Sequence, residues 1–192
     1  YAAMVSTLVR QLANRLTLVG GAPPTDGLRR AAVAAVIHDA PEPRVLLMKR
    51  AERQGDPWSG HISLPGGGYH AHEDESLLDT AIRETREELG FQLTRDQVLG
   101  NLTALGPRNA GPMPIEVTPF IFRTTVLPEI VVGPEALSAF WLPLDLALLG
   151  SLDKPFLYPN SQMTFPSWDF EGHVIWGLTR RILDDLIAAA AA

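Results

Sequence analysis

Three glutamates near the end of a predicted helix are the residues in this sequence with the clearest capacity for chemistry. Glu84, Glu87 and Glu88 stand at i, i+3 and i+4, which places them on one helix face. Like charges at this spacing repel, and carboxylates in the last turns also face the negative end of the helix dipole. Neutralising Glu84 is therefore expected to stabilise the metal-free protein. A hard divalent cation reverses both effects, so the cluster predicts a site for Mg²⁺ or Mn²⁺, and the lack of a thiol or imidazole on that face disfavours Zn²⁺.

The alternative for such a charge run is a solvated helix face, which is its commonest role. Three neighbouring features favour the metal site instead. Arg83 can pair with Glu87 one turn on, and Glu75 can reach toward Arg83 from two turns before it. A glycine run also lies just upstream, where backbone N–H groups can approach a phosphate; its members are Gly66, Gly67 and Gly68.

The stretch over residues 66–91 supplies the elements that position these side chains. It predicts a glycine-rich loop followed by a helix. Four residues recur at helical spacing and are expected to face a core, namely Leu78, Ile82, Thr85 and Leu89. The helix is expected to end at Gly90, because glycine adopts the left-handed conformation of a helix cap at little cost.

Glu75 together with the sequence RETREELGF at residues 83–91 resembles the Nudix box, GX5EX7REUXEEXGU, where U is aliphatic. Tyr69 stands where the box has glycine, with Gly68 as the nearest glycine, and Thr85 replaces an aliphatic residue. The charged positions are complete. The resemblance implies an α/β fold, an α/β/α sandwich around a mixed β-sheet. It also implies a hydrolase that cleaves the phosphoanhydride of a nucleoside diphosphate linked to another group.

The resemblance further implies a role for each charged residue. Glu84, Glu87 and Glu88 would hold Mg²⁺ or Mn²⁺, which lowers the pKa of a bound water. Glu87 or Glu88 could take the proton, and Arg83 would orient the cluster through Glu75 and Glu87. The three glycines would let the backbone approach the phosphates. Glu135, before the segment FWLPL at residues 140–144, is similar in place to an acid that assists the metals in some family members.

The segments before and after the box narrow the range of expected substrates. LLxxR at residues 46–50 and GHISLPGG at residues 60–67 resemble the segment before the box in the coenzyme A pyrophosphatase branch, and IWGLT at residues 175–179 is similar to the end of those proteins. His61 and Leu64 depart from the usual motif of that branch, GQxxFPGG, which has Gln and Phe at these two positions. The resemblance implies cleavage of coenzyme A or a derivative to 3′,5′-ADP and 4′-phosphopantetheine. Arg50 and Arg53 would supply charge for the 3′-phosphate.

Two other classes stay open at this point. The first is a Nudix hydrolase for ADP-ribose, NADH or a nucleotide sugar, against which only the flanking segments argue. The second is a non-catalytic binding module, which would predict a damaged glutamate cluster, whereas this cluster is intact.

The amino-acid composition limits which binding partners and which cellular compartment we expect. The net charge of −6 does not favour nucleic acid as a partner, and the absence of cysteine excludes disulfides and thiolate metal sites. No apolar run approaches the length of about 18 residues that suggests a membrane helix. We expect a cytoplasmic enzyme with a small-molecule nucleotide substrate and no membrane or nucleic-acid partner, with monomer and homodimer both open.

The chain predicts one domain with extensions. Residues 1–27 form an N-terminal helix, over 5–18, and a linker; residues 28–187 form the Nudix domain; residues 188–192 form a tail. Met4 is the expected natural start, with residues 1–3 and the terminal alanines as additions. Long loops are predicted over 49–65, 107–114 and 151–169. Strands are predicted over 31–37, 45–48, 98–105, 115–124, 130–132 and 173–176, and a last helix to Ile187.

Overall fold

A computed structural model describes residues 6–19, 23, 28–106 and 114–192 of the chain. The predicted first turn at residue 5 and the loop over 107–113 lie outside the described residues. None of the described helices combines the length and the apolar character that a bilayer crossing requires. The helices are α1 (Thr7–Arg15), α2 (Leu77–Leu89), α3 (Leu144–Leu148) and α4 (Gly177–Ala191), with a 3-10 turn at Arg95–Gln97.

Seven of the described strands form one mixed sheet, and the last four form two small antiparallel hairpins. The sheet strands are β1 (Arg29–His38), β2 (Arg44–Arg50), β3 (Ile62–Ser63), β4 (Gly66–Gly68), β5 (Val98–Asn101), β6 (Ile115–Thr124) and β7 (Ala136–Pro143). The hairpin strands are β8 (Phe156–Leu157), β9 (Thr164–Phe165), β10 (Ser167–Phe170) and β11 (His173–Trp176).

The centre of the sheet opens between β1 and β2. β1 runs parallel to β6 along its whole length, but it pairs with β2 only at Ile37 and His38. Beyond that point the two strands diverge. The short strand β4 pairs antiparallel with β1, and β3 pairs antiparallel with β2. The glycine strand therefore lies inside the opening, next to α2.

Helices cover both faces of the sheet. Alternate residues of the central strands point to opposite sides, so Ala34 and Leu46 pack in the core on the α2 side. Ile37 and Leu47 pack in the core on the other side, with Leu12 of α1 and Leu183 of α4. The predicted α/β/α sandwich around a mixed sheet is confirmed.

The ends of the chain differ from the prediction. α4 continues to Ala191, past the expected end at Ile187, and Ala190 is buried in the core. Four of the five residues of the predicted tail are therefore helical. α1 also contributes Leu8, Val9 and Leu12 to that core, which ties the N-terminal helix to the sheet. The division at residues 27 and 187 stays a prediction.

The segment over 130–132 is not a strand, because its backbone serves the end of α2. Val131 N–H donates to the carbonyl of Leu89 at 3.0 Å, and Gly133 N–H donates to the carbonyl of Glu88 at 2.8 Å. Both carbonyls belong to the last turn of α2, where carbonyl groups have no hydrogen-bond donor within the helix. Capping by a distant segment fixes the end of the helix that carries the glutamates.

Candidate active site

The helix α2 presents the glutamates from well-defined ends. The Ser76 hydroxyl accepts a hydrogen bond from the Asp79 N–H and caps the first turn. Gly90 ends the helix with φ +75°, and a Cβ there would lie 2.7 Å from the carbonyl oxygen of Val131. The expected helix end at Gly90 is confirmed. Leu78, Thr85 and Leu89 are buried as expected.

The three glutamates do not share one environment. Glu84 and Glu88 are buried, with Glu88 only 1% exposed, whereas the Glu87 side chain is half exposed. The i, i+4 pair thus faces the interior beside the glycine strand, and Glu87 lies at the surface edge of the same helix face. Because the two buried carboxylates meet protein and not water, the solvated charged face is not the role of this cluster.

Arg83 is the hub of the cluster. Its Nη1 donates to Glu84 Oε1 at 2.8 Å and to Glu87 Oε2 at 3.3 Å. Two further hydrogen bonds go to Asp74, from Nε to Oδ1 at 2.8 Å and from Nη2 to Oδ2 at 2.9 Å. This bidentate pair is buried on both sides. It holds the guanidinium in one plane beside the glutamates.

Asp74, not Glu75, is the acidic partner of Arg83, so the predicted role of Glu75 is wrong. Glu75 is exposed, and within the described part of the chain its carboxylate makes no hydrogen bond or ion pair. Asp74 points inward because the His70 N–H and the Thr80 hydroxyl also donate to it. Burial alone would raise the pKa of Asp74, but these hydrogen bonds and that from Arg83 outweigh it and hold the pKa below its usual range.

The sequence did contain a signal for Asp74. Five residues separate Gly68 from Asp74, the spacing that the box requires between its glycine and its acid. The extra residue then lies between Asp74 and Arg83, where eight residues stand in place of seven. Counting backwards from Arg83 over the seven intervening residues of the box selects Glu75 instead. In the structure the choice falls on Asp74, which is buried against Thr80 in the first turn of α2.

The glycines form the strand β4 instead of the predicted loop. Gly66 N–H donates to Glu88 Oε2 at 2.8 Å, and the Gly68 carbonyl accepts from Arg83 Nη2 at 3.0 Å. At Gly67 a Cβ would lie 2.5 Å from the carboxylate carbon of Glu84. Only glycine allows this approach, so the strand is fitted to the glutamates. In this arrangement the Gly66 N–H serves Glu88 and not a phosphate.

Burial raises the pKa of both carboxylates of the buried pair, Glu84 and Glu88. Burial, aided by the nearby Glu84 and Glu135 carboxylates, raises the pKa of Glu88 to about 8, although the Gly66 hydrogen bond and Arg50 act to lower it. Burial also raises the pKa of Glu84, against the hydrogen bond from Arg83. Glu135, at the start of β7, adds to both effects. Its backbone carbonyl accepts from the Ala51 N–H, which fixes its place.

The donor set fits a hard divalent cation. Glutamate oxygens are the ligands that Mg²⁺ and Mn²⁺ prefer. Among the described residues, no group of three or more His, Asp or Glu side chains is placed to hold one metal ion; Arg83 contacts Glu84 and Glu87, and the Gly66 N–H contacts one oxygen of Glu88. Glu84 is paired with Arg83, whereas Glu88 is buried with a raised pKa and has no compensating cation in contact with it among the described residues. A divalent ion bound there by Glu84, Glu87 and Glu88 would supply it.

Glu88→Gln is expected to stabilise the metal-free protein increasingly as pH rises. The mutation keeps an oxygen for the Gly66 N–H and removes the buried charge. In the wild type the folded-state pKa of about 8 lies above the ordinary glutamate value of 4.5, so folding is accompanied by proton uptake between these two pH values. The stability of the protonated form is fully present below pH 4.5 and is lost as pH rises to about 8. Melting temperatures in EDTA at pH 5 and pH 8 test this.

The matched control for that measurement is Glu84→Gln. Glu84 pairs with the buried Arg83, so neutralising Glu84 removes an ion pair. The sequence predicted that neutralising Glu84 stabilises the metal-free protein; with this ion pair present, we expect that effect for Glu88→Gln instead. Wild-type protein that melts no lower than Glu88→Gln at pH 8 would contradict the assignment of an uncompensated charge.

The two arginines predicted to bind the 3′-phosphate are each paired with a carboxylate. Arg50 Nη2 lies 2.9 Å from Asp56 Oδ2, and Arg53 Nη1 lies 3.3 Å from Glu135 Oε1. Arg50 belongs to β2 rather than to the loop after it. Neither guanidinium is therefore an uncompensated charge, although Arg50 lies close enough to lower the pKa of Glu88.

A cleft of about 650 Å³ opens on the face of the sheet opposite α2. All three glycines of β4 and Arg50 line it, so the glycine strand separates the glutamates from the cleft. Much of its wall is apolar or aromatic, contributed by Val33, Leu64, Leu178 and Trp176. Sequence reasoning did not assign the residues of α4 to the site, because they follow the box by almost a hundred positions.

The segments that flank the box in sequence meet in this cleft. Ile62, Ser63 and Leu64 line one side, and the β11–α4 junction, from Trp176 to Thr179, lines another. The Thr179 hydroxyl donates to the carbonyl of Ile62 at 3.1 Å, which joins the two segments directly. Both segments therefore contact the same bound molecule if one occupies the cleft.

Comparison with known proteins places this site in a family. The model of the NUDIX domain matches residues 28–160. An uncharacterized Nudix hydrolase, NudL, from Yersinia pestis strain Pestoides F is 34% identical over 163 residues, which covers 82% of this chain and 78% of that protein.

Solved structures show the same fold at lower identity. A MutT/nudix family protein from Enterococcus faecalis has a TM-score of 0.60 at 15% identity, over 88% of this chain and 64% of that chain. A bifunctional NMN adenylyltransferase/ADP ribose pyrophosphatase from Francisella tularensis, complexed with AMP and a manganese ion, has a TM-score of 0.58 at 18% identity. That match covers 87% of this chain and 43% of the other.

Proposed function

We propose that this chain, which belongs to the Nudix hydrolase family, cleaves the pyrophosphate of coenzyme A or a close derivative to 3′,5′-ADP and 4′-phosphopantetheine. The enzyme class follows from the family, whose members are pyrophosphohydrolases acting on nucleoside diphosphate derivatives. The observation that carries the chemistry is the buried Glu84 and Glu88 pair, held against the glycine strand that lines the cleft.

The residues of the chain divide the work. Glu84, Glu87 and Glu88 would hold Mg²⁺ or Mn²⁺, which supplies charge stabilisation for the phosphoryl oxygens and an acidified water. Arg83 keeps Glu84 and Glu87 in place, and Asp74 keeps Arg83 in place. Asp74 therefore takes the positioning role that the sequence suggested for Glu75. Arg50 is one of four arginines on the cleft wall, with Arg29, Arg180 and Arg181, and it is proposed to contact the pyrophosphate because it is the one near Glu88.

We prefer coenzyme A over other nucleotides as the substrate because the two segments that resemble coenzyme A pyrophosphatases, one before and one after the box, both contribute to one cleft. Arg50 of LLxxR, residues 61–64 with Gly66 and Gly67 of GHISLPGG, and residues 176–179 of IWGLT are far apart in the sequence, yet they line the wall of the same cleft. The apolar part of that wall suits the long pantetheine arm better than a second charged nucleotide. The alternative substrate class is ADP-ribose, NADH or another nucleoside diphosphate derivative.

Coenzyme A is expected to give the highest kcat/KM in a panel with dephospho-coenzyme A, ADP-ribose and NADH at saturating Mg²⁺ or Mn²⁺. Identification of the products by mass should show 3′,5′-ADP and 4′-phosphopantetheine. A higher kcat/KM for ADP-ribose or NADH would assign the protein to the alternative class. The panel should be run with Glu88→Gln beside the wild type, so that contaminating hydrolases are recognised.

A further inference from the structure

A second cavity adjoins the cleft, on the side of the hairpin β8–β9. Its volume is about 570 Å³. The two spaces share His61, Ile62, Tyr158 and Trp176 in their walls, so one elongated molecule can occupy both. The proposed reaction needs only the site beside the glutamates and assigns no role to this second space.

The charge of the second cavity is one-sided. Lys49 lines it, and no carboxylate occurs among its described lining residues. Within the described part of the chain, Lys49 has neither an ion pair nor a side-chain hydrogen bond. This contrasts with Arg50 and Arg53, each of which a carboxylate already compensates. Lys49 is therefore the better placed of these three cations to bind an added anion.

The rest of the wall suits a planar ring. Trp176 contacts Phe156 and Tyr158 with ring centroids 4.9 Å and 5.7 Å apart, and all three residues line the cavity. His61 packs edge-on against the same indole at 5.2 Å. Aromatic faces of this kind bind a nucleobase by stacking without regard to its identity. The cavity thus offers an unpaired ammonium beside an aromatic surface.

We propose that this cavity binds the nucleoside end of the substrate, with Lys49 contacting a phosphate monoester on the ribose and the aromatic wall contacting the base. The inference rests on the proposed function, since coenzyme A carries such a phosphate at its 3′ position. It moves the 3′-phosphate contact from Arg50 and Arg53 to Lys49. The pantetheine arm then extends into the apolar cleft, across the wall that the two spaces share.

The test compares two ligands that differ only in the 3′-phosphate. Calorimetry of metal-free protein in EDTA should show 3′,5′-ADP binding about tenfold or more tightly than 5′-AMP, because a charged hydrogen bond contributes at least that ratio. Lys49→Met should remove the preference, and Lys49→Arg should keep most of it. The matched control is Lys154→Met, since the other lysine of the chain lines neither space and pairs with Asp169; it should keep the preference.

A second measurement uses the unmutated protein. Acetylation with a water-soluble reagent, read by mass spectrometry, should modify both lysines, and 3′,5′-ADP should protect Lys49 but not Lys154. Equal affinity for the two ligands in the wild type, a preference that survives Lys49→Met, or unprotected Lys49 would each overturn the proposal.

Kinetics separate this inference from the proposed function. If the wild type cleaves coenzyme A and Lys49→Met lowers kcat/KM equally for coenzyme A and dephospho-coenzyme A, the function stands and the Lys49 contact is wrong. If the wild type does not cleave coenzyme A but binds 3′,5′-ADP selectively through Lys49, the cavity assignment stands and the substrate is another nucleotide with a ribose phosphate.

Discussion

Glu88→Gln is expected to lower kcat by about two orders of magnitude or more at saturating Mg²⁺, while it raises the melting temperature in EDTA. The loss follows because a bound metal ion supplies several kcal/mol of charge stabilisation, and about 1.4 kcal/mol is a factor of ten in rate. The gain follows because Glu88 is buried and no cation among the described residues is in contact with it. The same carboxylate would thus be unfavourable for the empty fold and required for turnover.

Glu87→Gln is the matched control for that pair of effects. Glu87 belongs to the same cluster, so its loss should also lower turnover at saturating Mg²⁺. Its side chain is half exposed, so removing its charge should give no comparable gain of stability in EDTA. Steady-state rates with Mg²⁺ and Mn²⁺ and melting curves in EDTA test both variants. Near-normal turnover by Glu88→Gln at saturating metal would contradict its assignment as a ligand.

Asp74→Ala is expected to destabilise the protein by about 3 kcal/mol, because it leaves a buried arginine without its principal partner. Arg83 would keep its contacts with Glu84 and Glu87, which places the loss at the lower end of the range for broken buried ion pairs. Turnover of the folded fraction should fall roughly tenfold to a hundredfold, as for partners that orient metal ligands. Urea unfolding with EDTA and kcat at saturating Mg²⁺ measure the two effects.

Glu75→Gln supplies the control at the adjacent position. Its carboxylate is exposed and makes no contact of its own within the described residues, so the expected change in stability is within about 0.5 kcal/mol. Asp74→Glu should recover part of the stability, since it keeps the charge but has to place a longer side chain. A larger loss for Glu75→Gln than for Asp74→Ala would restore Glu75 as the partner of Arg83.

The sequence alone determined the fold class and the chemistry of the helix. Apolar periodicity and Gly90 were sufficient to predict the C-terminal end and the core-facing residues of α2, because helix ends and helix faces depend on neighbours within a few residues. The central strands were predicted nearly to their bounds for a similar reason. Runs such as residues 115–124 are long, apolar and bounded by residues that break strands.

The tertiary structure decided which acid meets Arg83 and which cation is left unpaired. The box spacing fits Asp74 when counted from Gly68 and Glu75 when counted from Arg83, so the burial of Asp74, with hydrogen bonds from the His70 N–H and the Thr80 hydroxyl, decides between them. Lys49, Arg50 and Arg53 likewise look equivalent as a sequence. Arg50 pairs with Asp56, in the loop that follows it. Arg53 pairs with Glu135, which precedes β7 and is more than eighty residues away in the sequence. The pairing of Arg53 with Glu135 depends on long-range packing, so the spacing of residues within the loop does not predict it.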